Sequence, residues 1–144
     1  MTLNLLIMGL DDALRHVPQN KTYVISILPG TQRFYDEFFN AVDKPLYIRH
    51  QYRFDDITPR VGDGLLFNED IATAIIQDFQ RGRKDCLDLL VHCRQGISRS
   101  PAVAIALNDV FNLGHDTEAL KEKYSEANWH VYDVLKKTGE KLLR

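Results

Sequence analysis

Cysteine, tryptophan and proline are scarce in this 144-residue chain, which has two, one and five of them. Cys86 and Cys93 flank one apolar segment. An extended chain of that length holds its ends roughly 20 Å apart, far beyond the reach of a disulfide. Two reduced thiols point to a cytoplasmic setting. Neither sign of charge is in excess, because 18 Lys and Arg stand against 20 Asp and Glu, a formal charge of −2. Binders of nucleic acid or of membrane surfaces need a basic surplus, so neither partner is expected. No apolar run approaches the roughly 20 residues that span a bilayer, so no membrane insertion is expected. The apolar start, Met1 to Leu10, has no basic residue before it and reads as a strand rather than a signal peptide. His16, His50, His115 and His130 show no metal-ligand spacing, so neither metal nor cofactor is expected. Repeats and low-complexity tracts are absent too. With 44% hydrophobic and 26% charged residues, the chain has the make-up of one globular domain over residues 1–144.

What is present reads as strands alternating with helices. Leu3 to Met8 is a short apolar run, and Asp11 or Asp12 offers a cap for a helical turn that ends before Pro18. Thr22 to Leu28 is β-branched and stops at Pro29-Gly30. Leu46 to Phe54 alternates, and it leads into a loop at Asp55-Asp56-Ile57-Thr58-Pro59. Ile71, Ala74, Ile75 and Phe79 recur at helical spacing behind Asn68 as a cap, with Gly82 closing the helix. Leu87 to His92 has the look of a central strand. Ser100-Pro101 then opens a helix, with Pro at its first position. Thr117 to Tyr124 and Trp129 to Leu143 are further helices. The pattern predicts an α/β domain with a mostly parallel sheet flanked by helices. Phe34, Tyr35, Phe38 and Phe39 read first as helix packing and second as the lining of a substrate groove.

Chemistry concentrates in Val91-His92-Cys93-Arg94-Gln95-Gly96-Ile97-Ser98-Arg99-Ser100-Pro101. In a chain with ten arginines, an Arg six residues after one of the two cysteines arises by chance about one time in seven. Requiring also the His before, the Gly three after and the Ser behind the Arg reduces this to about one in 10⁵. A tight loop between a strand and a helix N-terminus directs backbone N–H groups into a nest for a tetrahedral oxyanion. The helix adds the positive end of its dipole. Gly96 permits a backbone turn that a β-carbon would hinder. Arg99 can fork two donors onto two phosphate oxygens. The same positive field favours a thiolate at Cys93, placed for in-line attack on phosphorus.

His92-Cys93-(five residues)-Arg99-Ser100, with Gly96 between, resembles the signature loop of cysteine-dependent protein tyrosine phosphatases. Ser98-Arg99-Ser100 and the small size resemble the dual-specificity branch, including compact bacterial members. The resemblance spans about residues 46 to 135. It implies that Cys93 is the nucleophile and forms a phosphocysteine. It implies that Arg99 binds phosphate and the transition state, with Arg94, Gln95, Gly96, Ile97 and Ser98 around the substrate. Ser100 would donate a hydrogen bond to the departing thiolate, and His92 would support the loop. Such enzymes need an acid for the leaving oxygen. The family pattern of an apolar residue, any residue and Asp picks Asp56, with Asp55 as the alternative. Turn chemistry ahead of Pro59 accounts for either one equally simply. An extra turn between Arg60 and Leu66 would absorb the length from Asp56 to Cys93. Ala127-Asn128-Trp129-His130-Val131-Tyr132 is similar to the family's Pro-Asn-x-Gly-aromatic segment, with Ala127 in place of Pro and His130 in place of Gly. Asn128 would support the loops or orient water.

The reading is a phosphomonoester hydrolase whose partner is a phosphorylated protein. Two alternatives stay open: a phosphoinositide or RNA 5′-phosphatase on the same fold, and a phosphate-binding module without turnover. Basic loops mark many lipid- and RNA-directed relatives, whereas Gln95, Ile97 and Ser98 are neutral, which favours phosphoprotein.

Overall fold

The computed structural model describes residues 2–30, 36–60 and 63–144. Phe34, Tyr35 and two residues of the Arg60–Leu66 segment, 61 and 62, lie outside them. The elements in chain order are β1 (Asn4–Met8), α1 (Leu10–Arg15), β2 (Thr22–Leu28), α2 (Asp36–Asn40), β3 (Tyr47–Arg53), α3 (Glu69–Gly82), β4 (Asp88–His92), α4 (Arg99–Phe111), α5 (Thr117–Lys123) and α6 (Trp129–Leu142).

The four strands form one parallel sheet in the order β1-β4-β2-β3. β2 and β4 are therefore central, and both are buried along their whole length. This explains why each reads as a continuous apolar run rather than an alternating one. One face of the sheet carries the larger core. There Ile25, Ile27, Leu89 and Val91 meet Ile75 and Phe79 of α3, Ala102 to Leu107 of α4, and Val131 and Leu135 of α6. The opposite face packs Val24, Leu90 and Tyr47 against Ala13 of α1 and Val42. α4 is buried from Arg99 through Asn108, as a helix apolar on nearly all sides must be. Among the described residues no helix is long and apolar enough to cross a membrane.

Two helix starts differ from the sequence expectation. α1 begins at Leu10 with Gly9 in the cap position, so Asp11 and Asp12 fall in its first turn instead of capping it. The reason is tertiary: the Leu10 N–H donates to the Arg94 carbonyl at 2.9 Å and pins the helix start to the loop after β4. α4 begins at Arg99, so Pro101 is its third residue, not its first. Proline is still tolerated there, because first-turn N–H groups have no partner within the helix. Asn68 caps α3 as its spacing suggests, accepting from the Ile71 N–H at 3.0 Å. Gly82 is the last residue of that helix rather than the residue beyond it.

Candidate active site

The loops that follow β1, β3 and β4 come together at the carboxyl ends of the parallel strands, where open α/β sheets place their ligands. β4 ends at His92, the loop runs from Cys93 to Ser98, and α4 starts at Arg99. Gly96 sits at φ +80°, and a Cβ there would press into the Gly9 nitrogen and lie 2.6 Å from the Met8 carbonyl carbon. Only glycine meets both demands, so Gly96 lets the loop fold down onto the end of β1. Its N–H donates to Cys93 Sγ at 3.2 Å. Ser100 Oγ lies 3.3 Å from the same sulfur and 3.3 Å from the Met8 carbonyl.

Cys93 is 2% exposed and touches the main apolar core. It nevertheless lines a recess of about 220 Å³ together with Asp56, Arg94, Gln95, Ile97, Ser98 and Arg99. Cys93 thus borders both the apolar core and this recess, with its sulfur in contact with an N–H and a hydroxyl. Arg99 is buried and donates from Nη1 to the Phe54 carbonyl at 2.9 Å, which ties the guanidinium to the loop after β3. The N-terminus of α4 has no side-chain cap, because the Ser98 hydroxyl donates to Asp56 instead. This 13-residue helix thus opens with a buried arginine and with first-turn amides that no side chain caps, an end whose dipole is positive.

The two adjacent aspartates have separate surroundings. Asp55 accepts from the Gly30 N–H at 2.9 Å and the Leu65 N–H at 2.7 Å, so its carboxylate clamps two neighbouring loops. Asp56 Oδ1 accepts from Ser98 Oγ at 2.7 Å and from Asn128 Nδ2 at 2.9 Å, and Asp56 lines the recess over Cys93. Asn128 caps α6 through Oδ1, which accepts from the Val131 N–H. Its amide nitrogen also donates to the Ile57 carbonyl at 3.1 Å, and its own N–H donates to the Ser98 carbonyl at 3.0 Å. The imperfect Ala127–Tyr132 segment therefore still joins the Asp56 loop to the Cys93 loop.

His92 is fully buried beneath the loop, with Nε2 2.6 Å from Ser26 Oγ and Phe39 stacked on its ring at 5.8 Å. Burial pushes its pKa down to about 4, and the nearby Arg49 charge acts in the same sense. Cys86 stands at the other end of β4 as a second free thiol. Burial pushes its thiol up. Arg94 is exposed and, with Gln95, also lines a second cavity of about 590 Å³ whose wall includes Asp11, Asp12, Arg15, Pro29 and Phe38. Of the aromatic cluster, Phe39 stacks on His92, and both Phe38 and Phe39 line that cavity. Sequence reasoning did not single out Gly9, Ser26, Arg49 or the Phe54 carbonyl. A lone serine inside the apolar β2 run was a visible signal for Ser26, whereas a backbone carbonyl leaves none. Among the described residues no cluster of His, Cys, Asp or Glu is arranged to hold a metal ion.

No protein-family model and no curated protein matches this chain. Solved structures do. Tk-PTP in its active form aligns with a TM-score of 0.54 at 17% identity, over 97% of this chain and 92% of that one. PTPMT1 aligns at 0.53 and 17%, over 97% and 92%; it is also known in complex with PI(5)P. The PTP-2 phosphatase of Cydia pomonella aligns at 0.54 and 16%, over 93% and 84%. The likeness is one of fold: this chain has the protein tyrosine phosphatase architecture, a parallel sheet flanked by helices.

Proposed function

We propose that the protein is a cysteine-dependent phosphomonoester hydrolase acting on phosphorylated protein. The observation that carries this reading is the placing of Cys93 Sγ, 3.2 Å from the Gly96 nitrogen and 3.3 Å from Ser100 Oγ, in a recess that also holds Arg99 and Asp56. A phosphate seated on the α4 N-terminus and Arg99 would lie against the sulfur. Cys93 then attacks phosphorus, the ester P–O bond breaks, and Asp56 passes its proton to the leaving oxygen. Oδ1 of Asp56 is held by Ser98 and Asn128, which leaves Oδ2 for that transfer. Water next attacks the phosphocysteine and Asp56 takes its proton. The S–P bond breaks, and the thiolate leaves with the Ser100 hydroxyl donating to it. That hydroxyl has one proton and two acceptors in reach, the Met8 carbonyl and the sulfur, so it can turn to the sulfur when charge appears there. Main-chain N–H groups and the Arg99 guanidinium stabilise the equatorial oxygens, the kind of preorganised contribution that dominates many enzymes.

A phosphoinositide substrate is the second reading, favoured by the complex of PTPMT1 with PI(5)P. Against it stands the neutral make-up of the loop at Gln95, Ile97 and Ser98, where a lipid headgroup with a second phosphate calls for further basic residues. The larger cavity next to Arg94 is balanced in charge, with Asp11 and Asp12 beside Arg15 and Arg94. The test is hydrolysis of an aryl phosphate, a phosphotyrosyl peptide, a phosphothreonyl peptide and a phosphoinositide in EDTA. Peptide and aryl phosphate turnover that disappears in Cys93→Ser is expected. Turnover retained in that variant overturns the nucleophile, and binding of phosphopeptide without turnover makes the protein a phosphate-binding module.

A further inference from the structure

We propose that Ser26 and Arg49 are positioning residues that lock His92, beneath the nucleophile, in the neutral tautomer protonated at Nδ1. Ser26 on β2 pairs directly with His92 on β4 in the parallel register, so their side chains share one face of the sheet. Ser26 Oγ is 2.6 Å from His92 Nε2 and 2.7 Å from Arg49 Nε on β3. A guanidinium has donors and no acceptor, so the serine oxygen must accept from Arg49. Its single hydroxyl proton is then left for His92. Pointing it elsewhere would strand a buried donor, because no other partner of Ser26 Oγ is found among the described residues. Nε2 is therefore the accepting nitrogen, and the ring proton lies on Nδ1.

Nδ1 is buried with no hydrogen-bond partner, so the hydrogen bonds through Ser26 must outweigh the cost of a proton there. Burial disfavours the protonated ring more strongly than the Cys93 main chain favours it. Among the described residues Arg49 is the charged side chain that acts on His92, and it opposes protonation. Burial disfavours the charged form of Arg49 and Asp43 partly offsets this, while the Gln51 amide oxygen holds the guanidinium at 3.0 Å from Nη2. Phe39 closes the remaining side of the ring by stacking on it. A cation two hydrogen bonds from the ring thus dictates which edge of the imidazole is a donor.

The tautomer can be read whether or not Cys93 proves to be a nucleophile, so this inference and the proposed hydrolase activity fail separately. The experiment is NMR of the ¹⁵N-histidine-labelled protein, comparing wild type with Ser26→Ala and Arg49→Met. At neutral pH the wild-type His92 should show a protonated Nδ1 and a bare Nε2. In Ser26→Ala the proton should populate both nitrogens. In Arg49→Met the His92 titration midpoint should rise from about 4. In both variants kcat for an aryl phosphate should fall on the order of 10-fold with little change in KM, as expected of a displaced reacting group. A wild-type proton on Nε2, or an unchanged tautomer in Ser26→Ala, overturns the proposal. Should Arg49→Met not fold, Ser26→Ala, which removes one oxygen, decides alone.

Discussion

Lowering the pH should destabilise this fold by an amount that His92 sets. The ring is fully buried, and burial pushes its pKa from 6.5 to about 4. In the unfolded chain it titrates near its ordinary 6.5. Between these values the unfolded state binds a proton that the native state refuses. Stability is therefore intact above pH 6.5, declines as pH falls through the window, and levels off below 4. The full window is worth about 3 kcal/mol, from roughly 1.4 kcal/mol per pH unit. Between pH 7 and pH 5 the share is about 2 kcal/mol. Carboxylates titrate over part of the same range, so the assay is a difference. Urea unfolding of wild type and His92→Gln at constant ionic strength isolates the imidazole. The variant loses packing at every pH, but it lacks the titration. Its stability deficit at pH 7 should shrink by about 2 kcal/mol at pH 5. A deficit that stays constant, or grows, would show that His92 is not held neutral and would refute the reasoning.

Three substitutions separate the neighbouring roles. Asp56→Asn should slow hydrolysis of alkyl phosphates by about 10²–10⁴-fold and of activated aryl phosphates far less, since only poor leaving groups need the proton; steady-state kinetics on a leaving-group series checks this. Asp55→Ala should cost about 1–3 kcal/mol of stability, because it strands the Gly30 and Leu65 N–H groups. Thermal unfolding checks that, and the same leaving-group series should show no selective loss. Gly96→Ala meets the Gly9 nitrogen and a φ of +80°. It should cost about 1–3 kcal/mol and lower kcat/KM by about 10²-fold through a displaced loop.

Much of the architecture was legible because the strands are short and apolar. Thr22–Leu28 was bounded by Pro29-Gly30 and is β2 to the residue. The Cys93–Arg99 loop was legible because its residue types are rare in combination and its place between a strand and a helix is restrictive. What stayed hidden depended on distant partners. Asp55 and Asp56 are chemically alike, and only the N–H groups of Gly30 and Leu65 decide which one turns inward as a clamp. The Gly9 cap of α1 follows from the Arg94 carbonyl, which holds the Leu10 N–H from 84 residues further along the chain. Arg49 reads as an ordinary polar residue of an alternating strand until β2 brings Ser26 between it and His92.

The central claim is that the Cys93 sulfur takes the phosphoryl group. Rapid acid quench of Asp56→Asn, mixed with an activated aryl phosphate, followed by mass spectrometry of the proteolysed chain, addresses it directly. With the base for the second step removed, a phosphate adduct should accumulate on the peptide that contains Cys93. An adduct on another residue, or sustained turnover with no adduct at any time, would contradict the account.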